Sequence, residues 1–329
     1  MKNIFKLILL VLIFSVFFNS LIYAKTVLKA GHVLPVSTDQ GQAALFFAER
    51  VKQLTNGEIE IKVFHDGQLG KKDPEQLESV ISGAQGFFVT GMEWFKAWDD
   101  RFGILSTPFV FRDKGHLKTF LNSDLFSDMQ KSLEKNGLRF VGKFNWIRQG
   151  DRGILSRKPI FTPDDMTGLR LRMFQSEMPI KTWTAMGANL HVMPWGDVYT
   201  AFATGQVDAV TAAFVFPYKA KHVEFGKYFT NIKEYFQPVS PVIGLRTWNK
   251  LTASQKAALD QAAADAGETF VKVSREGTIE AMQNGMNKYG VSFIEVPLKP
   301  WHNRMAPVLE EFEAKGTLPQ GLVDQIKSM

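Results

Sequence analysis

The sequence predicts an α/β fold built as two domains. Segments that alternate polar and apolar residues, as strands do, take turns with segments whose apolar residues recur at helical spacing. Strands that alternate with helices in this way imply parallel sheets. With 329 residues the chain is too long for one small core and suits two domains of ordinary size. No linker is apparent, so we expect the domains to be joined by several crossings of structured chain.

The first strand–helix–strand unit is expected between residues 26 and 63. Residues 26–31 predict a strand, residues 43–54 a helix, and residues 58–63 an alternating strand. The helix is expected to begin after one of three N-cap candidates, whose side chains accept hydrogen bonds from free backbone N–H groups: Ser37, Thr38 and Asp39. Asn56-Gly57 is expected to end it, because glycine accepts the left-handed conformation at a helix end.

The same pattern predicts the elements that follow. Asp73-Pro74 is expected to open a helix that Gly83 closes, and residues 86–90 predict a strand. Further along, short helices are expected from Thr162 and over 177–186 and 195–204, and strands over 169–173, 190–193 and 207–211. A long helix is expected from the cap at 251–254 to about Tyr289.

Residues 1–24 have the pattern of a secretory signal peptide. Lys2 and Lys6 precede an apolar run over 7–18, and Ala24 lies at the expected cleavage site. A membrane anchor is the alternative, but the run is shorter than the ~20 residues that a bilayer requires. The absence of cysteine excludes a lipoprotein anchor. The mature protein is expected to begin near Lys25, in the periplasm, with the formal charge lowered from +6 to +4.

Composition and motifs argue against several classes of function. The chain has no cysteine, which excludes thiolate catalysis, iron–sulfur clusters and cysteine zinc sites. It contains no GxSxG, P-loop or GxGxxG motif, and its six histidines lack metal-ligand spacing. Its basic residues are interspersed with acidic ones, which argues against nucleic acid as a partner. The sequence therefore gives no positive sign of catalysis, of a cofactor or of a metal.

Three segments carry a resemblance to a known family. They are GQLG at 67–70, GLRLR at 168–172, and MPWGDVY at 193–199 followed by TGQVDA at 204–209. In this order and spacing they resemble the substrate-binding subunit of tripartite ATP-independent periplasmic (TRAP) transporters, the DctP family. The likeness runs from about Lys29 to the last helices, which is nearly the whole mature chain.

The resemblance implies the two-domain periplasmic solute-binding protein fold, with an interdomain cleft and a long C-terminal helix that spans both domains. Applied to this chain, it gives domain I as residues 25–149 plus 238–277 and domain II as residues 150–237 plus 278–329. It also implies a small organic-acid ligand and the membrane subunits of a TRAP permease as partners. We expect a monomer that closes on its ligand by hinge motion.

The resemblance identifies two arginines as ligand-binding. Arg172 matches the family arginine that pairs with a substrate carboxylate, and its planar fork suits that role. Arg170 shares the same face of the strand, so alternation alone does not choose between them, and Arg170 is expected to be structural. Arg152 matches a second family arginine that precedes the segment at 158–160, with Arg148 as the near alternative.

Other positions are expected at the ligand on the same basis. Trp195 matches an aromatic position, although core packing is its alternative role, and Gln175 matches a polar one. His32 is expected to reach the cleft or to cap the following helix. From the first domain, the loop after a short strand is expected to face the ligand, with Gly91, Met92 and Trp94.

Two departures from the family pattern bear on the ligand. Ala212 stands where many members carry an asparagine, and Gly91 where an acid or amide is expected. Phe214, Phe216 and Trp195 would then make a more apolar wall. This favours small carboxylates and acids with an apolar, aromatic or zwitterionic part over polyhydroxy acids of the sialic-acid kind.

The sequence therefore predicts a receptor that captures a small organic acid and delivers it to a TRAP permease. One alternative keeps the binding role but assigns it to an ABC transporter or a sensor kinase. The others are a secreted hydrolase or lyase, which the missing motifs disfavour, and a purely structural envelope protein.

Overall fold

The computed structural model describes residues 25–329, in which two β-sheets are flanked by helices. The predicted signal peptide, residues 1–24, lies outside the described residues. Within the described part, no helix is both long enough and apolar enough to cross a membrane.

The elements alternate along most of the chain. The strands are β1 Thr26–Gly31, β2 Ile59–Phe64, β3 Phe87–Gly91, β4 Leu138–Phe140, β5 Arg152–Ser156, β6 Arg170–Met173, β7 Asn189–Val192, β8 Ala209–Ala213, β9 Tyr228–Asn231, β10 Val239–Gly244 and β11 Ser292–Glu295. The α-helices are α1 Asp39–Leu54, α2 Asp73–Ser82, α3 Lys114–Leu121, α4 Asp124–Lys135, α5 Glu177–Ala185, α6 Val198–Ala203, α7 Val215–Lys219, α8 Leu245–Trp248, α9 Ala253–Tyr289, α10 Lys299–Ala314 and α11 Leu322–Lys327. Short 3-10 helices lie at Met92–Ala97, Asp100–Ser106, Pro163–Met166, Trp195–Asp197 and His222–Glu224.

Each sheet is parallel apart from one strand. The first sheet has the order β2-β1-β3-β10-β4, in which β10 runs antiparallel to both of its neighbours. The second has the order β11-β9-β5-β8-β6-β7, in which β5 runs antiparallel to both of its neighbours. The expectation of parallel sheets is therefore wrong for β5 and β10. Both strands enter their sheet directly from the other one, without the helix that a parallel crossover requires.

The two chain segments that carry the crossings run side by side. Ile147 forms a bridge with Pro238, and the Arg148 amide donates to the Gln237 carbonyl oxygen over 3.1 Å. Nearby, the Val239 amide donates to the carbonyl oxygen of Trp146 over 2.8 Å. These residues, 146–152 and 234–239, are called the crossing segments below. They place several side chains of the candidate site at the junction of the two sheets.

Helix α9 lies along both sheets and confirms the predicted long helix. Thr252 caps it in a capping box with Gln255, and Gly290 ends it with a positive φ of 64°. Its first half packs against α1. Near its end, Gly285 lies against the ring of Phe214, the residue that follows β8. Between these two contacts, the Ser274 hydroxyl accepts a hydrogen bond of 2.9 Å from the backbone N–H of Gln149 in a crossing segment.

Most predicted elements are confirmed, with shifted ends. The cap of α1 is Thr38, so that helix begins earlier than residue 43. The strand expected at 207–211 is β8, two residues later, and the helix expected at 195–204 is a 3-10 turn followed by α6. The C-terminal segment touches both halves: a ring nitrogen of His116 lies 2.8 Å from the carbonyl oxygen of Ile326 in α11, and Lys181 donates over 2.9 Å to Thr317, between α10 and α11.

Candidate functional site

Arg172 is a buried cation with no carboxylate partner among the described residues. It lies on β6, 5% exposed, and donates from Nε and Nη2 to the carbonyl oxygen of Met193 at 3.2 and 2.9 Å. Burial, helped by the nearby charge of Arg152, lowers the pKa of Arg172 to about 9. A cation held in this way is ready to receive an anion, because the anion would replace the water that burial removed.

Arg170, two residues earlier on the same strand, has a different environment. Its guanidinium is exposed and pairs with Asp208 through two hydrogen bonds of 2.7 and 2.8 Å. The structural role expected for it agrees with this geometry. The sequence pattern places both arginines on one face of the strand, but Arg172 is buried and Arg170 is exposed.

Aromatic rings complete the surroundings of Arg172. Its guanidinium carbon lies 5.2 Å from the centre of the half-buried Trp195 ring, within the range of a cation–π contact. The Trp195 ring in turn packs against His222, with 4.9 Å between ring centres. Burial and the Arg172 charge lower the pKa of His222 to about 4, so this histidine is neutral at ordinary pH. It therefore adds no positive charge beside Arg172.

Arg152, the first residue of β5, is buried and tied to the protein. Its Nε donates to Glu234 over 3.0 Å, and its Nη2 lies 3.3 Å from the Thr211 carbonyl oxygen. Its guanidinium also lies over the ring of Tyr235, 4.4 Å from the centre. Glu234 accepts a second hydrogen bond, of 2.8 Å, from Trp183. Arg152 is thus held rigidly and shares its charge with Glu234.

Arg148, the alternative to Arg152, is buried in the adjoining crossing segment. It pairs with Asp39 at 3.2 Å and donates to Gln40 over 3.3 Å, so it is anchored to the start of α1. Its guanidinium lies 4.4 Å from the centre of the Phe216 ring. Three arginines therefore converge at the junction of the two sheets, and of these only Arg172 lacks an acidic partner in the described chain.

The first sheet contributes His32 and the loop after β3. His32 is fully buried, and neither ring nitrogen has a hydrogen-bond partner within residues 25–329. Burial lowers its pKa to about 4. The idea that His32 caps the next helix is wrong, because Thr38 does so. Met92 is fully buried, while Trp94 is half-buried and packs edge-on against Phe174, 5.8 Å away.

The remaining predicted positions differ in their setting. Gln175 is exposed just after β6, and Ala212 is buried in β8 opposite Gly153. The ring of Phe214 packs in the core against Phe293 and Phe229, 4.6 and 5.0 Å between ring centres. These core contacts account for the position of Phe214, and its place in the expected apolar wall stays a prediction.

Gly91 changes the expected polarity of the site. A Cβ atom at this glycine would lie 2.2 Å from Oε2 of Glu93, so the Glu93 carboxylate fills the space beside it. The sequence reasoning expected no acid here and missed Glu93, along with Glu234, Tyr235 and His222. One local feature could have predicted Glu93: it is an acidic residue in the loop Gly91-Met92-Glu93-Trp94, which was expected to face the ligand.

The two halves of the site touch across the junction. Lys96, beside the first sheet, pairs with Glu177 at the start of α5 at 2.9 Å. Lys219 of α7 donates to the carbonyl oxygen of Ser37, just before α1. Over the described residues no group of three or more His, Asp or Glu side chains is placed to hold a metal ion. The chemistry that the arrangement offers is the capture of an anion by guanidinium groups.

Comparison with known proteins identifies relatives along nearly the whole chain. The family model of DctP, described as bacterial extracellular solute-binding protein, family 7, matches residues 30–315. The 2,3-diketo-L-gulonate-binding periplasmic protein YiaO of Escherichia coli is 28% identical over 308 residues, 92% of this chain and 90% of that protein. The C4-dicarboxylate-binding periplasmic protein DctP of Rhodobacter capsulatus is 25% identical over 289 residues, 87% of this chain and 86% of that protein.

Solved structures share the fold. A TRAP periplasmic solute-binding protein from a Sulfitobacter species, solved with bound β-D-galacturonate, superposes with a TM-score of 0.86. It is 24% identical, and the match covers 92% of this chain and all of that one. The predicted fold class, two α/β units with a long helix along both, is confirmed.

Proposed function

Because the chain belongs to the DctP family of bacterial extracellular solute-binding proteins, we propose that it captures a small organic acid in the periplasm and delivers it to a TRAP permease. As a member of this family it is a solute-binding receptor and not an enzyme. The acid named for the Escherichia coli relative is 2,3-diketo-L-gulonate, and that for the Rhodobacter relative is a C4-dicarboxylate. The proposed ligand is a small organic acid comparable in size to these two.

The observation that carries the proposal is the buried charge of Arg172, which pairs with no carboxylate among residues 25–329. A ligand carboxylate would accept hydrogen bonds from its guanidinium, while Arg152 adds a second positive charge nearby and Trp195 packs against the pair. In a site closed to water, such a pair is worth on the order of 2–5 kcal/mol when one partner is removed. The hydrogen bonds to Met193 orient the guanidinium before the acid arrives.

The proposal includes the way in which the receptor moves. Residues 25–149 plus 238–277 form domain I and residues 150–237 plus 278–329 form domain II, which close about the crossing segments. Closure would bury the acid and present the permease with a surface that differs from the open form. We propose export by a cleavable signal peptide over residues 1–24, and a monomer as the working unit.

A binding screen followed by one variant tests the function. We expect a panel of organic acids to contain at least one that raises the melting temperature, since a ligand at 100 times its Kd stabilises by about 2.7 kcal/mol. Isothermal titration calorimetry with that acid should show that Arg172→Ala weakens binding by about 2–5 kcal/mol. Arg170→Ala is the matched control, because it removes an exposed arginine from the same strand and should leave affinity within about twofold.

The results separate the alternatives. Equal affinity of the wild-type and Arg172→Ala proteins would remove Arg172 from the site, while leaving a receptor. A chain that no organic acid stabilises would contradict the proposed ligand class. Uptake of the acid can be compared between cells that have TRAP membrane subunits and cells that lack them. Uptake that requires these subunits indicates a TRAP receptor and not one that serves an ABC transporter or a sensor kinase.

A further inference from the structure

Glu93 is a second buried charged group of the site, and it faces the junction from the first sheet. It lies in the 3-10 turn after β3 and is 4% exposed. Because its carboxylate occupies the space beside Gly91, any larger side chain at position 91 would displace it. Glycine at this position therefore allows the Glu93 carboxylate to reach the site.

Within residues 25–329, one oxygen of this carboxylate is hydrogen-bonded to another side chain and the other oxygen is not. Oε1 accepts a hydrogen bond from the side-chain amide of Gln237, in a crossing segment. Oε2 is buried and has no hydrogen-bond partner in the part of the chain that the structure describes. A buried carboxylate oxygen left without a donor is costly, and a group that donates to it would remove that cost.

Glu93 and Arg172 approach the junction from opposite sheets. Gln237, which donates to Glu93, lies in the crossing segment that pairs with the one ending in Arg152. The Arg152 guanidinium in turn donates to the Thr211 carbonyl oxygen of β8, next to Val210, the residue of β8 that pairs with Arg172. Burial raises the pKa of Glu93 overall, although the charges of Arg152 and Arg148 lower it. Both groups therefore border the junction of the two sheets, Glu93 from the first sheet and Arg172 from the second.

We propose that Glu93 accepts a hydrogen bond from a hydroxyl or ammonium group of the bound acid, and so selects acids that carry such a donor. The inference rests on the proposed function, in which Arg172 binds the carboxylate. It assigns a hydroxy or amino acid as the ligand class, since an acid without a donor would leave Oε2 buried and unpaired.

Three sets of acids with matched carbon skeletons test the proposal. They are succinate, malate and aspartate; glutarate, 2-hydroxyglutarate and glutamate; and 3-phenylpropionate, phenyllactate and phenylalanine. Within each set, one carbon carries hydrogen, hydroxyl or ammonium. Calorimetry with the wild-type protein should give, in any set that binds, an affinity at least about tenfold higher for a donor-bearing member. The member preferred identifies the donor as hydroxyl or ammonium.

Variants assign the preference to Glu93. In Glu93→Gln the preference should shrink to about threefold or less, because the amide presents N–H groups to the site. Glu134→Gln, at an acid on the distant helix α4, should keep the full preference. Should Glu93→Gln fail to fold, the comparison within each set for the wild-type protein still decides whether the site prefers an acid with a hydrogen-bond donor.

The outcomes distinguish the two proposals. Acids that bind without regard to the donor, or a preference that survives Glu93→Gln, overturn the role of Glu93 while the receptor function stands. If no acid of any set binds and none of a wider panel does, both proposals fall together.

Discussion

Arg172 holds its charge away from water, and this should be visible in the stability of the protein without added acid. A buried charge with no partner costs several kcal/mol. We therefore expect Arg172→Met, which keeps the length of the side chain and removes the charge, to raise the free energy of unfolding by about 1–3 kcal/mol. Urea unfolding measures it.

Arg170→Met provides the control for this prediction. Its guanidinium is exposed and its pair with Asp208 is worth little, so the unfolding free energy should change by less than about 1 kcal/mol. A clear loss of stability in Arg172→Met would mean that the Met193 carbonyl and the Trp195 ring already compensate for the charge.

Asp73 should make the stability depend on pH in an unusual direction. Burial raises its pKa to about 7, although the Thr90 hydroxyl donates to it over 2.5 Å. The folded protein therefore keeps a proton that the unfolded chain, with an ordinary carboxyl pKa of 3.8, releases. The stability contributed by this proton falls as pH rises from about 4 to 7, by up to about 1.4 kcal/mol per pH unit.

Urea unfolding between pH 4.5 and 7 tests this behaviour against Asp73→Asn. The difference in unfolding free energy between the two proteins should change with pH, in favour of the variant as pH rises. The charge of Glu93 raises the pKa of Asp73, so the two carboxyls titrate together and the difference between the proteins reports on the pair. A constant difference would mean that Asp73 is ionised throughout in the folded state.

At the scale of elements, the capping box of α9 is a local feature with a measurable value. The Thr252 hydroxyl accepts a hydrogen bond from the backbone N–H of Gln255. The side-chain oxygen of Gln255 accepts one from the backbone N–H of Thr252. Thr252→Ala removes the first bond and should lower the free energy of unfolding by about 1 kcal/mol. Thr252→Ser retains a hydroxyl and should lose far less. Equal losses in thermal or urea unfolding would refute a capping role.

Elements that belong to strand–helix–strand units were predictable from the sequence, because their caps and glycines are local signals. Thr38 and Gly83 mark two helix ends that the structure confirms. Strands β5 and β10 carry no such signals, since each is reached by crossing from the other sheet. Strand β10 also contains Pro241, which reads as a break in a strand pattern.

The candidate site was predictable only in part. Alternation placed Arg170 and Arg172 on one face, and the choice between them depended on family resemblance until burial distinguished their surroundings. Glu234 and Tyr235 lie more than 60 residues from Arg170 and Arg172 along the chain, so no local pattern connects them to these arginines. Their role comes from the pairing of the two crossing segments, which is a tertiary feature.

At the scale of the whole molecule, contacts across the cleft should favour the closed form. Lys96 bonds with Asp100 on its own side at 2.8 Å and with Glu177 on the other side at 2.9 Å. Lys96→Met should weaken binding of a ligand acid about two- to fivefold, because the bond to Glu177 is lost only where the halves meet. Calorimetry measures the affinity, and small-angle X-ray scattering should show a larger radius of gyration.

Lys315→Met serves as the matched control, because Lys315, just after α10, pairs with Glu311 of that helix and so makes a local contact. Unchanged affinity and unchanged dimensions in Lys96→Met would show that the cleft contacts add nothing to closure.

The position of β10 in the first sheet has a consequence for how the chain matures. β10 lies between β3 and β4, yet it begins at Val239, long after β4 ends at Phe140. A chain delivered from its N-terminus therefore exposes the open edges of β3 and β4 while the whole of β5 to β9 is still to arrive. Unpaired edges of this kind invite aggregation. The newly made chain should thus depend on protection by chaperones until about three quarters of its length has emerged.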